Sequence, residues 1–263
     1  MSPTSAAMDP LFFGRPDRQL FGAYHPPESE RARGTGVVLC YPAVPEYQRT
    51  HFAFRKLAVM IAREGFHVLR FDYAGTGDSA GDLSTASVGT WCEDVGQAVA
   101  ELKDLAGVRR VSIVGMRLGA VLAAAAVSGG LAVRDLVLWE PVIRGADHVE
   151  ELRSVNARKL AKFRIPVRAA PDEILGYAVP SLLRSQLAEL DLAAFGTSNA
   201  GRVLLFVGQS RPEYTAVSKR LRDRRGRPGQ VRVVPDEAGS RGEGVMLSTR
   251  ILQAMAAALG EEA

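Results

Sequence analysis

The sequence predicts an α/β protein, a mostly parallel central sheet with helices on both faces and a helical cap inserted into it. Three observations predict it. Short β-rich runs alternate with longer segments of helical period along most of the chain. Several of those runs are apolar without a break, as strands buried on both faces are. The alternation fails once, over about 145–199, and then resumes.

The elements follow in order. An opening pair of strands falls near residues 11–13 and 19–25, and the run 36–41 (GVVLCY) suits a central strand. Over 52–64 the apolar positions Phe54, Leu57, Ala58 and Ile61 recur at helical spacing, and Gly65 supplies the stop. Residues 67–71 (HVLRF) form the next strand, 90–105 a helix, 111–114 (VSIV) a strand, 118–128 a helix and 135–140 (DLVLWE) a strand. The broken stretch has helical period at 149–163 and 181–190 without intervening strands. It reads as a cap over 145–199, with 1–144 and 200–263 forming the core. Alternation resumes with a strand at 203–207, a helix around 213–221, a strand at 231–234 and a closing helix over 245–259.

Composition bounds the function. Of 263 residues, 47% are hydrophobic and 24% charged, so the chain is globular rather than disordered. Cys40 and Cys92 are too few for a disulfide framework. Residues 1–10 lack the basic and apolar regions of a secretion signal, which points to the cytoplasm. The longest apolar stretch, 118–127, falls short of the roughly 18 to 20 residues of a membrane span. The net charge of +4 comes with 28 arginines against 5 lysines, so a single Arg needs a positional argument before it counts as a ligand site. The densest basic run, 219–227 (KRLRDRRGR), has no interleaved aromatics and sits where a surface helix ends, so nucleic acid is not the expected partner.

Two loops stand out. Residues 72–79 (DYAGTGDS) follow a buried strand, and 115–120 (GMRLGA) join strand to helix with a glycine on either side of Arg117. With the strand order and the cap, these motifs resemble the α/β-hydrolase superfamily over nearly the whole chain. They are most similar to a bacterial subgroup of hydrolase-like proteins, exosortase-associated ones among them, which combine an RFDYxGTGDSxG loop with a GxRLGA elbow. The resemblance implies a nucleophile elbow GxSxG, whose centre here is Arg117. A guanidinium that stays protonated cannot attack a carbonyl. It also implies a histidine after the last strand, but His25, His51, His67 and His148 all precede residue 149. The stretch 235–245 offers Asp236, Glu237, Arg241 and Glu243 instead. The acid position after Val207 reads GQSR, with no carboxylate before Glu213. Acyl-serine transfer is therefore not the expected mechanism.

What remains is a crevice suited to anions. Arg117 sits at a helix N-terminus, and the N–H of Leu118 with one from the Ala43–Val44 turn stand where the resemblance implies an oxyanion hole. Arg117 either binds a ligand or pairs internally with Glu140 or Asp72. The polar turn 42–51 contains Glu46, Tyr47, Arg49 and His51. Glu46 and His51 make a candidate acid/base pair, with Tyr47 or Arg49 orienting; the alternative for His51 is a structural bond at a helix start. Glu140 is a second candidate base, and His148 reaches over the site or caps the cap's first helix. Cys40 reads as a buried apolar residue, and Asp78 and Ser79 as turn formers. No spacing suggests a metal, and GTG at 75–77 lacks the third glycine and the immediate helix of a nucleotide loop.

Two readings stay open. One is an enzyme without a Ser–His pair, acting on a small acyl, ester, thioester or carbonyl compound of specialised metabolism by acid/base and electrostatic catalysis, with Arg117 as anchor. The other is a non-catalytic relative that binds a small molecule or partner protein. Residual hydrolysis through Cys40, Ser79 or Ser240 is a third. No cofactor is expected. An exposed apolar face on the cap would support a homodimer.

Overall fold

The computed structural model describes residues 8–28, 32–43, 45–162, 172–235 and 249–261. An opening hairpin pairs β1 (Asp9–Arg15) with β2 (Arg18–His25), and β2 lies antiparallel to β4 (His67–Phe71). The rest of the sheet is parallel. β3 (Thr35–Cys40), β5 (Arg110–Met116), β6 (Val133–Trp139), β9 (Ala200–Val207) and β10 (Gln230–Val233) complete the order β1-β2-β4-β3-β5-β6-β9-β10.

Alternation along the strands divides the core in two, because successive side chains point to opposite faces. Val38 and Cys40 of β3 face α2 (Val88–Ala106), α3 (Leu118–Ser128) and α6 (Pro212–Arg220). Val37 and Leu39 face α1 (Tyr47–Arg63) and α7 (Thr249–Gly260). All six residues of β3 are buried, as its unbroken apolar run requires. Among the described residues no helix is long and apolar enough to cross a membrane.

Between β6 and β9, in the segment expected to form the cap, lie α4 (Gly145–Leu160), a small hairpin of β7 (Glu173–Ile174) and β8 (Tyr177–Ala178), and α5 (Ser181–Glu189). The hairpin corrects the expectation of a cap without strands. Its two-residue turn is Leu175–Gly176, both at positive φ (55° and 86°), and lacks the Asn-Gly signature that announces such turns. A second correction concerns α1, which begins at Tyr47 rather than Phe52. Tyr47, Phe54 and Leu57 continue one apolar face upstream, so the polar turn is short and His51 stands in the helix. Of the closing helix, residues 245–248 lie outside the described residues.

Close packing joins α3 to β3. Gly115 and Gly119 flank the β5–α3 turn. A Cβ on Gly119 would run into the carbonyl oxygens of Cys40 and Tyr41, and one on Gly115 into the Gly119 carbonyl. The helix start can therefore approach the strand end only with glycine at these positions. Gly119→Ala is expected to lower stability in urea unfolding by about 2 kcal/mol or more; an unchanged midpoint would show that the contact is relaxed in solution.

Candidate functional site

Arg117 lies between β5 and α3 with φ 52° and ψ −117°. A bulky side chain at positive φ stores about 1 to 3 kcal/mol of strain, so the surroundings must enforce it. Its N–H donates to the Trp139 carbonyl at 3.0 Å, and its carbonyl accepts from the N–H groups of Ala120 and Val142. The turn thereby aims the side chain at the cap. The guanidinium Nε donates to Glu46 Oε1 at 3.0 Å and Nη2 to Glu151 Oε2 at 2.6 Å, with His148 Nδ1 3.4 Å from Nη2. Glu46 immediately precedes α1, and His148 and Glu151 stand on α4. One side chain therefore ties the core turn to α1 and to the cap.

The electrostatics are mutual. Burial works against the Arg117 charge, but the Glu46 and Glu151 carboxylates raise its pKa. Glu151 is lowered to about 2, first through His148, whose Nδ1 is 3.7 Å from Oε2, and then through Arg117. Arg117 pairs with neither Glu140 nor Asp72, the partners the sequence offered. Glu140, at φ 43°, accepts instead from the Gly208 N–H and from the Tyr214 hydroxyl at 3.0 Å, so it holds the loop after β9. Glu46 Oε2 and His148 Nε2 are buried 3.8 Å apart, each without a hydrogen-bond partner. Leu118 and Ala43 are buried beside this cluster, while Val44 lies outside the described residues, as do Asp236, Glu237, Ser240, Arg241 and Glu243.

A separate pocket of about 230 Å³ opens beside α1, lined by Tyr47, His51 and Arg55 of the helix, by Phe21 and Ala23 of β2, and by Tyr41, Arg70 and Asp72. His51 stacks parallel to the Tyr41 ring, 6.2 Å between centroids, and Tyr47 stands edge-on to Tyr41 at 4.9 Å. Glu46 is engaged by Arg117, so His51 has aromatic rings rather than Glu46 as its neighbours. Burial, aided by Arg70 and Arg55 and opposed by Asp72, lowers the His51 pKa and leaves the ring neutral at pH 7. Burial raises Asp72, while the Asp78 N–H at 3.1 Å and the Tyr47 hydroxyl favour its charge.

The remaining candidates are accounted for locally. Ser79 Oγ donates to the Asp72 carbonyl and accepts from the Phe21 N–H. Burial pushes the Cys40 thiol up to about 12, so it stays protonated. His67 Nδ1 meets the Tyr24 hydroxyl at 2.7 Å. Among the described residues no group of three or more His, Cys, Asp or Glu side chains is placed to hold a metal. Sequence reading missed Glu151, although its i+3 spacing from His148 on a helix could have found it. It also missed the buried Arg70, which donates to Tyr41 at 2.6 Å and to His25 at 3.0 Å and whose partners lie on other strands.

Two measurements check this geometry. Arg117→Met leaves the half-buried Glu46 without its cation, so a double-mutant cycle with Glu46→Gln should show a coupling of about 1 kcal/mol or more in unfolding free energy; additive effects would deny the pair. His25 is lowered to about 4 by burial and by Arg70. Between about pH 4 and its ordinary value near 6.5, the unfolded chain binds a proton there that the native state does not, so stability falls as pH falls through that window. His25→Gln keeps an acceptor for Arg70 without the ionisation, and its stability should fall less steeply across the same range.

The comparisons with known proteins agree on the fold. The family model for serine aminopeptidase, S33, matches residues 47–188, which include both the elbow and most of the cap. No curated protein matches the chain. Among solved structures, a Pyrococcus furiosus esterase is 17% identical with a TM-score of 0.64, covering 97% of this chain and 89% of that one. A hypothetical protein from Pseudomonas aeruginosa is 15% identical with a TM-score of 0.67, covering 100% and 96%. Est1E from Butyrivibrio proteoclasticus, solved with ferulic acid bound, is 15% identical with a TM-score of 0.62, covering 95% and 96%. At these identities the structures speak for the fold, and with the family model matching more than half of the chain, this protein belongs to the serine aminopeptidase S33 family of the α/β-hydrolase superfamily.

Proposed function

We propose that the protein acts on a small acyl, ester or carbonyl compound held in the pocket beside α1, with His51 as general base, and without acyl-serine transfer. The observation that carries this reading is a neutral imidazole lining a small, mainly apolar cavity beside Tyr47 and Asp72. The elbow offers no nucleophile, since Arg117 stands at its centre and is neutralised by two carboxylates. Water deprotonated by His51 would attack the carbonyl carbon of an ester, and as the acyl C–O bond breaks the His51 imidazolium would return that proton to the leaving alkoxide, giving the acid and the alcohol. The raised pKa of Tyr47 keeps its hydroxyl protonated, so it is available in the pocket as a hydrogen-bond donor. Arg55, exposed and without an ion pair among the described residues, supplies positive charge for a carbonyl or carboxylate oxygen. Glu46, Arg117 and His148 serve as the latch that seats the cap, and Glu140 orders the loop after β9. The ferulic acid in Est1E shows that a neighbour of this fold holds a small aromatic acid.

A second reading, binding without turnover, is favoured by one observation. Glu46 and Glu151 together neutralise Arg117, the charge that would otherwise anchor an anionic substrate at the elbow.

The experiment is product formation by mass spectrometry from a panel of small esters and thioesters, run alongside calorimetric binding of the same compounds. The enzyme reading expects turnover that falls about 100-fold or more in His51→Ala. That turnover should also decline as pH falls through a pKa below 6.5, where the base takes up its proton. Turnover that His51→Ala leaves intact would overturn the assignment. Binding without product in either protein would establish the second reading.

A further inference from the structure

At the opposite end of the sheet, under the amino-terminal ends of β3, β5, β6 and β9, lies a larger cavity of about 870 Å³. Its lining carries seven cations and no carboxylate among the described residues. Three of the seven have a structural task. Arg33 donates to the carbonyls of Glu64 and Gly260 and covers the Phe66 ring at 4.9 Å. Arg134 holds the buried Asp135 and the carbonyls of Leu259 and Glu261, closing the end of α7. Arg224 reaches the carbonyls of Val133 and Asn199.

The other four, Lys103, Arg109, Arg110 and Arg225, form no ion pair among the described residues. They converge from the last turn of α2, the α2–β5 loop, the start of β5 and the loop after α6. The nearby acids are already used. Asp135 is shared by Arg134 and Arg202, and Glu261 pairs with Arg202 and Arg232. The Arg134 pKa is lowered, by burial first and then by its like-charged neighbours Arg202, Arg110 and Arg33, with Asp135 acting the other way. The loop that presents Arg225 is itself built. Asp223 Oδ1 accepts from the N–H groups of Arg225 and Arg227, and Oδ2 from Arg227 Nε at 2.7 Å. The basic run of the sequence is thus not a helix end alone; Arg224 and Arg225 from it line this cavity.

We propose that this cavity is a binding site for a polyphosphate group, free or carried by a nucleotide. Four unpaired cations, three from residues 103–110 and one from the loop after α6, match the several negative charges of such a group, and a single anion would leave most of them unpaired. The volume is that of a small-molecule site. The one aromatic ring of the lining, Phe66, is buried beneath Arg33 and gives no stacking platform for exposed bases, which argues against a nucleic-acid strand. The cavity lies at the other end of the strands from the His51 pocket, so this site stands independently of the reaction proposed there.

The test is calorimetry on the full chain with inorganic tripolyphosphate, adenosine triphosphate and inorganic phosphate, at low and at high salt. Tripolyphosphate should bind once per chain, at least about 10-fold more tightly than phosphate, and weaken as salt rises. Arg109→Glu/Arg225→Glu should weaken it about 10-fold or more, whereas Arg153→Glu/Arg158→Glu, an equal charge change on the cap, should leave it within about 2-fold. Tighter binding of the nucleotide than of tripolyphosphate would assign the group to a nucleotide, and the reverse to free polyphosphate. Absence of saturable binding, equal loss in both double variants, or displacement of tripolyphosphate by a single-stranded oligonucleotide at lower phosphate concentration would each overturn the proposal. Circular dichroism of the variants confirms that a loss of binding is not a loss of fold.

Discussion

The close approach of α3 to the end of β3 is the constraint on which the rest of the site depends. Two glycines at the β5–α3 turn let backbone meet backbone where any Cβ would collide with a carbonyl oxygen. The turn that results holds Arg117 at positive φ and fixes where its side chain leaves the sheet. From there the guanidinium has two carboxylates within reach, one ahead of α1 and one on the cap. Geometry imposed by the backbone thus becomes an electrostatic link between core and cap.

That link changes what the elbow can do. A strained strand-to-helix turn normally serves to expose a reactive side chain, and strain of this kind is commonly kept at functional sites. Here the exposed position carries a cation that is held, not free. Arg117 is largely buried and partnered, and its partners are in turn ordered by His148. Breaking such a cluster at one member leaves a buried charge without compensation, which makes the group stabilising as a unit and costly to dismantle piecemeal. The adjacent pocket follows the opposite logic, with rings around a neutral histidine and space left over.

The two ends of the sheet also differ in charge. At the carboxyl ends the elbow's Arg117 meets two carboxylates, with Arg55 of the adjacent pocket unpaired, whereas at the amino-terminal ends four cations lining one cavity form no ion pair among the described residues. In a chain with 28 arginines the surface will carry guanidinium groups for many reasons. What distinguishes the cavity below β3 and β5 is convergence from separate segments around one concave volume.

Sequence by itself determined the alternation of strands and helices and a glycine-flanked strand-to-helix turn with arginine at its centre. These are legible because periodicity and glycine spacing are local properties, written within ten or twenty residues of where they act. That arginine rather than serine stands at 117 and that no histidine follows His148 is likewise read from the sequence alone. Only tertiary structure decided the partners. Glu46 meets Arg117 across 71 positions, Glu140 turns to Gly208 and Tyr214, and Arg70 gathers His25 and Tyr41 from other strands. Side chains that meet through sheet register and helix packing leave no spacing rule along the chain. The extension of α1 back to Tyr47, which moved His51 from a loop into a helix, was settled by packing on the sheet rather than by the polar residues of the turn.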